Sequence, residues 1–190
     1  MKTTENIYDK LAYVNALRNR RKKLSDEILA TPSLFPGLLT ACFSEDPTTS
    51  AKASWVLEFV CKEKPDWLLP YIDTFTSGLA TLSADGAIRS CGKICELLCE
   101  RYFSTVPNEV KNKLQEKHLS QITEVCFDWL IGNHKVAVKA YAMHCLFLLG
   151  KKSDWIHPEL KMIIRQGYPS HSAAYRSRAK HLLDKLRDEP

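Results

Sequence analysis

Long apolar runs, strand-like alternation and glycine are all scarce in this chain of 190 residues, which holds only 7 Gly. No stretch approaches the ~20 consecutive apolar residues that a membrane-spanning helix needs, so no membrane span is predicted. Alternating β-branched segments are rare, and no Asn-Gly or Asp-Gly turn joins two of them, which argues against a β-sheet protein. The first residues include acids and no apolar core, so we expect no secretory signal.

Disulfide and catalytic motifs are missing as well. The seven cysteines are an odd number without the spacing of a secreted scaffold, which predicts reduced thiols in the cytoplasm. There is no Gly-rich phosphate loop, no G-x-S-x-G nucleophile elbow and no H-E-x-x-H zinc motif. We therefore expect no catalytic residue, cofactor or metal, and favour a protein that is not an enzyme.

The charge balance is only mildly basic. The net charge is +5 and the isoelectric point is near 8.8, which is less basic than a dedicated nucleic-acid-binding domain. Hydrophobic residues make up 45% and charged residues 26% of the chain, a composition typical of a globular protein with an ordinary core.

Helical periodicity is abundant. Ile7, Leu11, Val14 and Leu17 recur at steps of four, three and three residues, which predicts an amphipathic first helix capped by Thr4. Beyond it the chain reads as four helix pairs, and the second helix of each pair opens near a basic residue. These residues are 37, 50 and 37 residues apart in the order Lys52, Arg89, Lys139, Arg176. The longer interval contains the polar segment VPNEVKNKLQEKH, which has a short helical pattern of its own.

A unit of about 37 residues that recurs with one insertion predicts a helical solenoid, in which stacked hairpins cover one another's apolar faces. The predicted fold class is all-α, an αα-superhelix of HEAT- or armadillo-like helical hairpins. We expect one domain over residues 1–190, with N-terminal helices at 1–31 and helix-pair repeats at 32–187. A non-repeating α-helical bundle is the alternative.

Several segments resemble known families. AVKAYAMHCLFLLG and YRSRAKHLLDKL resemble the second helices of HEAT and armadillo repeats, where small or basic residues precede leucine pairs. The chain also resembles, nearly end to end, a family of short bacterial proteins that are often labelled adenylosuccinate lyase. The resemblance lies in the segments LAYVNALRNRR, SWVLEFVC, FDWLI, KAYAMHCLFLLG and DWIHPEL followed by SAAYRSRAKHLL. This resemblance implies a HEAT-like α fold, and the label implies lyase activity. The S-S-x-M-P-x-K-x-N loop of true lyases is missing, so no lyase residue carries over and that activity is disfavoured.

Three cysteines in CGKICELLCE raise the question of a metal or redox site. Cys91, Cys95 and Cys99 are four residues apart, so they form one stripe of a helix together with Ile94 and Leu98. A single helix does not easily wrap three thiolates around a tetrahedral ion. We therefore predict core packing, with a redox-sensitive thiol or a metal site as the alternatives.

Other chemistry-bearing side chains also have ordinary explanations. His144 lies between Met143 and Cys145 in a repeat core, so we expect a structural histidine. Trp55 and Trp129 lie in apolar helical runs, and we expect both in the core. HEAT-like alkylpurine DNA glycosylases act with an Asp and aromatic residues; this chain contains Trp55, Trp129, Asp128 and Asp66, but the sequence does not place them in one cleft.

Basic side chains are the candidate partner-binding residues. The segment RNRRKK at the end of the first predicted helix would bind phosphates, or it is simply the solvated end of that helix. If second helices line the inner face of the superhelix, their basic residues form a row for an acidic peptide or phosphate. Alternatively each pairs with a nearby acid, as Arg89 would with Asp85. The full candidate set is Lys52, Arg89, Lys139, Arg176, Arg18, Arg20 and Arg21.

The predicted function is a cytoplasmic, non-enzymatic helical-repeat scaffold that binds a macromolecular partner, with a protein favoured and no membrane involved. Nucleic-acid binding or DNA base processing on the same scaffold is the alternative, and adenylosuccinate lyase activity is the disfavoured third reading.

Overall fold

The computed structural model describes residues 6–169 and 171–187, and the regular elements in these ranges are all helical. This confirms the predicted all-α class. The α-helices are α1 (Ile7–Leu11), α2 (Arg18–Ala30), α3 (Phe35–Cys42), α4 (Pro47–Glu63), α5 (Ile72–Gly78), α6 (Asp85–Tyr102), α7 (Glu109–Lys113), α8 (Glu116–Ile131), α9 (Val136–Leu149), α10 (Ile156–Gly167) and α11 (Ala173–Lys185). None of the helices in the described ranges is long and apolar enough to cross a membrane.

The chain divides into two compact units, Met1–Ile94 (unit 1) and Cys95–Pro190 (unit 2), and the division falls inside α6. In unit 1, helices α1, α2 and α3 all pack against α4. Helix α4 begins cleanly because Asp46 accepts hydrogen bonds from the amides of Thr48 and Thr49 and Pro47 occupies the first helical position. Its interior side chains include Val56 and Leu57, both fully buried. Each such side chain contributes about 1.5–3 kcal/mol of apolar burial.

The predicted N-terminal stripe is interrupted. Ile7, Leu11 and Val14 are buried, but α1 ends at Leu11 and Leu17 is 59% exposed. The side chain of Asn15 accepts a 2.9 Å hydrogen bond from the amide of Leu17. This bond forms a local turn, which competes with continuation of the helix. The cap of α1 is Asn6, whose side chain accepts the amide of Tyr8. The predicted cap Thr4 lies outside the described residues.

A second interruption lies in the segment between α4 and α6. The sequence pattern from Asp66 to Ser83 indicates one helix, but the structure forms 3₁₀ turns at Pro65–Tyr71 and Leu79–Thr81 on either side of the short α5. Pro70 has no amide hydrogen to donate and therefore breaks the regular helical ladder at this point.

In unit 2, helices α8, α10 and α11 pack against α9. The polar insertion forms the short helix α7, capped by Asn108, whose side chain accepts the amide of Lys111 at 3.0 Å. This confirms the helical pattern expected for that segment. Helix α8 starts with a reciprocal cap, in which the amide of Gln115 donates to Nδ1 of His118 at 2.9 Å.

The predicted burial of the cysteine stripe is confirmed, because Cys91, Cys95 and Cys99 are all 0% exposed. In unit 1, Sγ of Cys91 lies 3.6 Å from Sγ of Cys42. In unit 2, burial raises the pKa of the Cys95 thiol well above its usual value, so the neutral thiol is strongly favoured. These side chains pack as small hydrophobic groups.

Candidate functional site

Two arginines of α2 lie against two aromatic rings of α4 in unit 1. Arg18 and Arg21 are three residues apart and Trp55 and Phe59 are four apart, so each pair shares one helix face. The Arg18 guanidinium carbon is 5.4 Å from the centre of the Phe59 ring. That of Arg21 is 5.7 Å from the centres of both rings. These distances are within the range of cation–π attraction.

A buried carboxylate holds two more cations beside these rings. Glu58 on α4 is 4% exposed and accepts hydrogen bonds from the Ser90 hydroxyl at 2.7 Å, from Lys62 Nζ at 2.5 Å and from Arg89 Nη2 at 3.4 Å. Lys62 Nζ also lies 5.6 Å from the centre of the Phe59 ring. Because the side chains of Lys62 and Arg89 remain 42% and 35% exposed, their charges face water while the carboxylate does not.

We call this group the cation–aromatic surface. It consists of one buried carboxylate, four cations and two rings: Glu58, Arg18, Arg21, Lys62, Arg89, Trp55 and Phe59.

Positive charge on this surface is crowded. The pKa of Arg21 is lowered, first by burial and then by the charges of Arg89 and Arg18, against which Glu58 acts in the opposite direction. The group stays protonated at neutral pH, because an arginine pKa is above 12 to begin with. Nε of Arg21 is buried and has no hydrogen-bond acceptor. An arriving anion would therefore be favoured here, because it would offset the cationic charges that lower the pKa of Arg21.

The rings serve as supports for the cations. Trp55 is half-buried between Arg21 and Gly86, where an added Cβ would come within 3.0 Å of the indole Nε1. Glycine at position 86 thus allows the close approach of α6 to this ring, which a larger residue would push back by a few tenths of an ångström. The arrangement presents guanidinium and ammonium groups outward, and such groups recognise carboxylates and phosphates.

The structure brings together three of the seven predicted binding residues: Arg18, Arg21 and Arg89. Arg20 is exposed elsewhere on α2, and Lys52 donates to the backbone carbonyl of Ala12 at 3.2 Å. In unit 2, Arg176 is exposed on α11.

Lys139 has a different environment. It is 4% exposed, and its Nζ donates to the carbonyls of Leu130 and Gly132 at 2.6 and 2.7 Å. These carbonyls lie at the end of α8, where a cation is favourable because the helix dipole is negative there. Burial lowers the pKa of the lysine. Its ammonium group therefore serves the fold of unit 2 and is occupied before any partner arrives.

The residues suggested by DNA base processing differ in exposure. Trp129 is 4% exposed, which confirms its predicted place in the core, whereas Asp128 in the same unit is exposed. In unit 1, Asp66 is exposed, and Trp55 is only half-buried as part of the cation–aromatic surface, so its predicted place in the core is wrong.

Comparison with protein families gives a match to a known repeat domain. The model of the HEAT repeat domain matches residues 14–186, nearly the whole chain. The chain belongs to the HEAT repeat family. Comparison with curated proteins and with solved structures returned no match. Together with the helices of the described residues, the family match confirms the predicted helical-repeat fold of this HEAT repeat protein.

Sequence reasoning missed Glu58, Lys62 and Phe59 as parts of the surface. Glu58 and Lys62 are four residues apart on a predicted helix, a spacing that signals an ion pair. No local sequence pattern predicts that the Glu58 carboxylate is buried between α4 and α6. Its partners Ser90 and Arg89 are more than thirty residues away from it along the chain.

Proposed function

We propose that this HEAT repeat protein is a non-enzymatic scaffold whose cation–aromatic surface binds an acidic segment of a protein partner. The observation that carries the proposal is the grouping of four cations on one surface: Glu58 holds Lys62 and Arg89, while Arg18 and Arg21 lie over the neighbouring rings. Extended surfaces of helical repeats commonly serve as binding platforms. The family match supports this general role, and the charges of the surface supply the preference for an acidic ligand.

An acidic protein segment fits this surface better than a nucleic acid does. Single-stranded nucleic acids gain much of their binding energy from bases stacked on open aromatic rings. Here cations lie over both rings, and Gly86 closes against Trp55. What remains accessible to a ligand is a compact group of positive charges. Such a group matches a few carboxylates spaced along a peptide. The modest isoelectric point near 8.8 agrees with this preference.

The experiment measures binding of a fluorescent peptide of alternating Glu and Ser to the full chain by anisotropy, with an oligonucleotide of equal net charge as competitor. The wild-type protein should bind the peptide, and the affinity should fall as salt rises because the contacts are ionic. The double variant Arg18→Glu/Arg21→Glu should lose at least about tenfold in affinity, equivalent to ~1.4 kcal/mol.

A matched control makes the same change of charge elsewhere. Arg178→Glu/Lys180→Glu replaces two exposed cations of α11 in unit 2, and it should bind the peptide as the wild type does. Equal loss in both double variants would mean that net charge alone drives binding, and the proposed site would be wrong. Tighter binding of the oligonucleotide, again lost in Arg18→Glu/Arg21→Glu, would replace the protein partner by a nucleic acid.

Two further expectations belong to the same proposal. The family match is continuous over residues 14–186, which supports a single repeat domain over residues 1–190. All seven cysteines are buried thiols, which supports a reducing compartment such as the cytoplasm. Adenylosuccinate lyase activity, the disfavoured alternative, is tested by incubating the protein with adenylosuccinate, and we expect no fumarate.

A further inference from the structure

Three metal-ligating side chains meet on two helices of unit 2. Glu96 and Glu100 are four residues apart on α6, so both carboxylates lie on one helix face. His144 on α9 places its Nδ1 2.8 Å from Oε1 of Glu96 and 3.7 Å from Oε1 of Glu100. One ligand atom from each residue lies within 4.8 Å of those of the other two.

The distances from His144 bracket the ligand spacing of a metal centre. Zinc binds imidazole nitrogen and carboxylate oxygen at about 2.0–2.2 Å, so neighbouring ligand atoms of a tetrahedral site are about 3.3–3.5 Å apart. The two distances from His144 lie on either side of this value. A bound ion would require Oε1 of Glu96 to move about 0.5–0.7 Å away from Nδ1 of His144 and Oε1 of Glu100 to approach it by about 0.2–0.4 Å.

Burial gives the cluster a closed side and an open side. The side chain of Glu96 is 9% exposed, that of His144 is 30% exposed, and that of Glu100 is 47% exposed. An ion would therefore enter from the side of Glu100 and be held against the buried carboxylate of Glu96. Since Glu100 is the exposed member, its replacement tests the site with the least disturbance of the fold.

The charges of the three residues favour a divalent cation. Two carboxylates and one imidazole have a net charge of −1 when the imidazole is protonated and −2 when it is neutral. A divalent ion would balance two carboxylates and take the neutral imidazole as its nitrogen ligand. The nitrogen ligand selects against Mg²⁺ and Ca²⁺, which prefer oxygen, and favours Zn²⁺ and similar transition-metal ions.

We propose that Glu96, Glu100 and His144 form a binding site for a divalent transition-metal ion, with Zn²⁺ as the representative ion. Three protein ligands leave one coordination position for water. The ion would tie α6 to α9 within unit 2. This site shares no residue with the cation–aromatic surface, and the proposal does not depend on the function proposed above.

The experiment titrates Zn²⁺ into the chelator-treated full chain by calorimetry. We expect one equivalent to bind, and Glu100→Gln and His144→Asn each to weaken binding by at least about tenfold, because each removes a ligand. Glu124→Gln and His181→Asn change exposed residues of the same unit and serve as controls that should bind as the wild type does. Zn²⁺ should also raise the melting temperature of the wild type but not of His144→Asn.

The seven cysteines require one more measurement, because thiols also bind zinc. Co²⁺ in place of Zn²⁺ should give visible d–d bands without a thiolate-to-cobalt charge-transfer band. Three results would each overturn the proposal: a charge-transfer band, an absence of stoichiometric binding, or an unchanged affinity in both Glu100→Gln and His144→Asn. In the last two cases the three residues would form only an ion-pair cluster.

Discussion

The hydroxyl of Ser90 on α6 donates a 2.7 Å hydrogen bond to the carboxylate of Glu58 on α4. Ser90 is 0% exposed and Glu58 is 4% exposed, so this bond lies inside unit 1. It fixes the carboxylate whose other partners, Lys62 and Arg89, belong to the cation–aromatic surface. The core of unit 1 and its candidate binding surface therefore depend on one acidic side chain.

Glu58→Gln should lower the free energy of unfolding by about 1–3 kcal/mol. The amide retains the shape of the side chain but loses the charge that its hydrogen-bonded cations require, and bonds to charged groups are the stronger kind. Ser90→Ala should cost about 1–2 kcal/mol, because a single donor is lost. Both values can be measured by urea denaturation.

Glu63→Gln is the matched control for Glu58→Gln, since Glu63 lies on the same helix and is exposed. Its stability should stay within about 0.5 kcal/mol of the wild type. If Glu58→Gln is equally neutral, then the carboxylate does not organise this part of unit 1.

Lys139→Met tests the buried lysine of unit 2. Removal of the ammonium leaves the carbonyls of Leu130 and Gly132 without this donor, and we expect a loss of about 1–3 kcal/mol in the free energy of unfolding. Lys180→Met, at an exposed position of α11, should be nearly neutral in the same denaturation experiment. A stabilised Lys139→Met variant would show instead that the cost of burying the ammonium exceeds the gain from its hydrogen bonds.

Thiol labelling tests the cysteine packing. All seven cysteines are buried, and burial raises the pKa of the Cys61 thiol far above its usual value, so little reactive thiolate is accessible in the folded chain. With an aromatic disulfide reagent, we expect slow labelling of the native protein and rapid labelling of seven thiols in denaturant. Fast native labelling of the stripe at Cys91, Cys95 and Cys99 would contradict its place in the core.

Local sequence patterns predicted much of the helical structure and failed where a single side chain intervened. The helices later observed as α4, α6, α8 and α9 follow runs rich in apolar residues, and α4 begins at a clear cap, Asp46. The predicted helical stripe through Leu17 is wrong. The side chain of Asn15 accepts a hydrogen bond from the amide of Leu17, and a continued helix would need that amide for its own backbone bonding. The segment around Pro70 failed because the missing amide hydrogen outweighs apolar periodicity.

The candidate sites were predictable only in part. Arg18 and Arg21 share one face of their helix whatever the helix packs against, because they are three residues apart. The proximity of Arg89 to Arg21 depends on how helices pack, as does the meeting of His144 with Glu96 across forty-eight positions of the chain. Lys139 looked like a surface cation, but packing of α9 against α8 buries it on carbonyl groups.

The sequence by itself determined the helical class, the repeat family and the inward direction of the cysteines, because these follow from a period of 3.6 residues and from apolar content. The tertiary structure alone decided which charges are buried, which are crowded and which ligand atoms converge. Those properties arise from distances between helices that are far apart along the chain, and no local pattern encodes them.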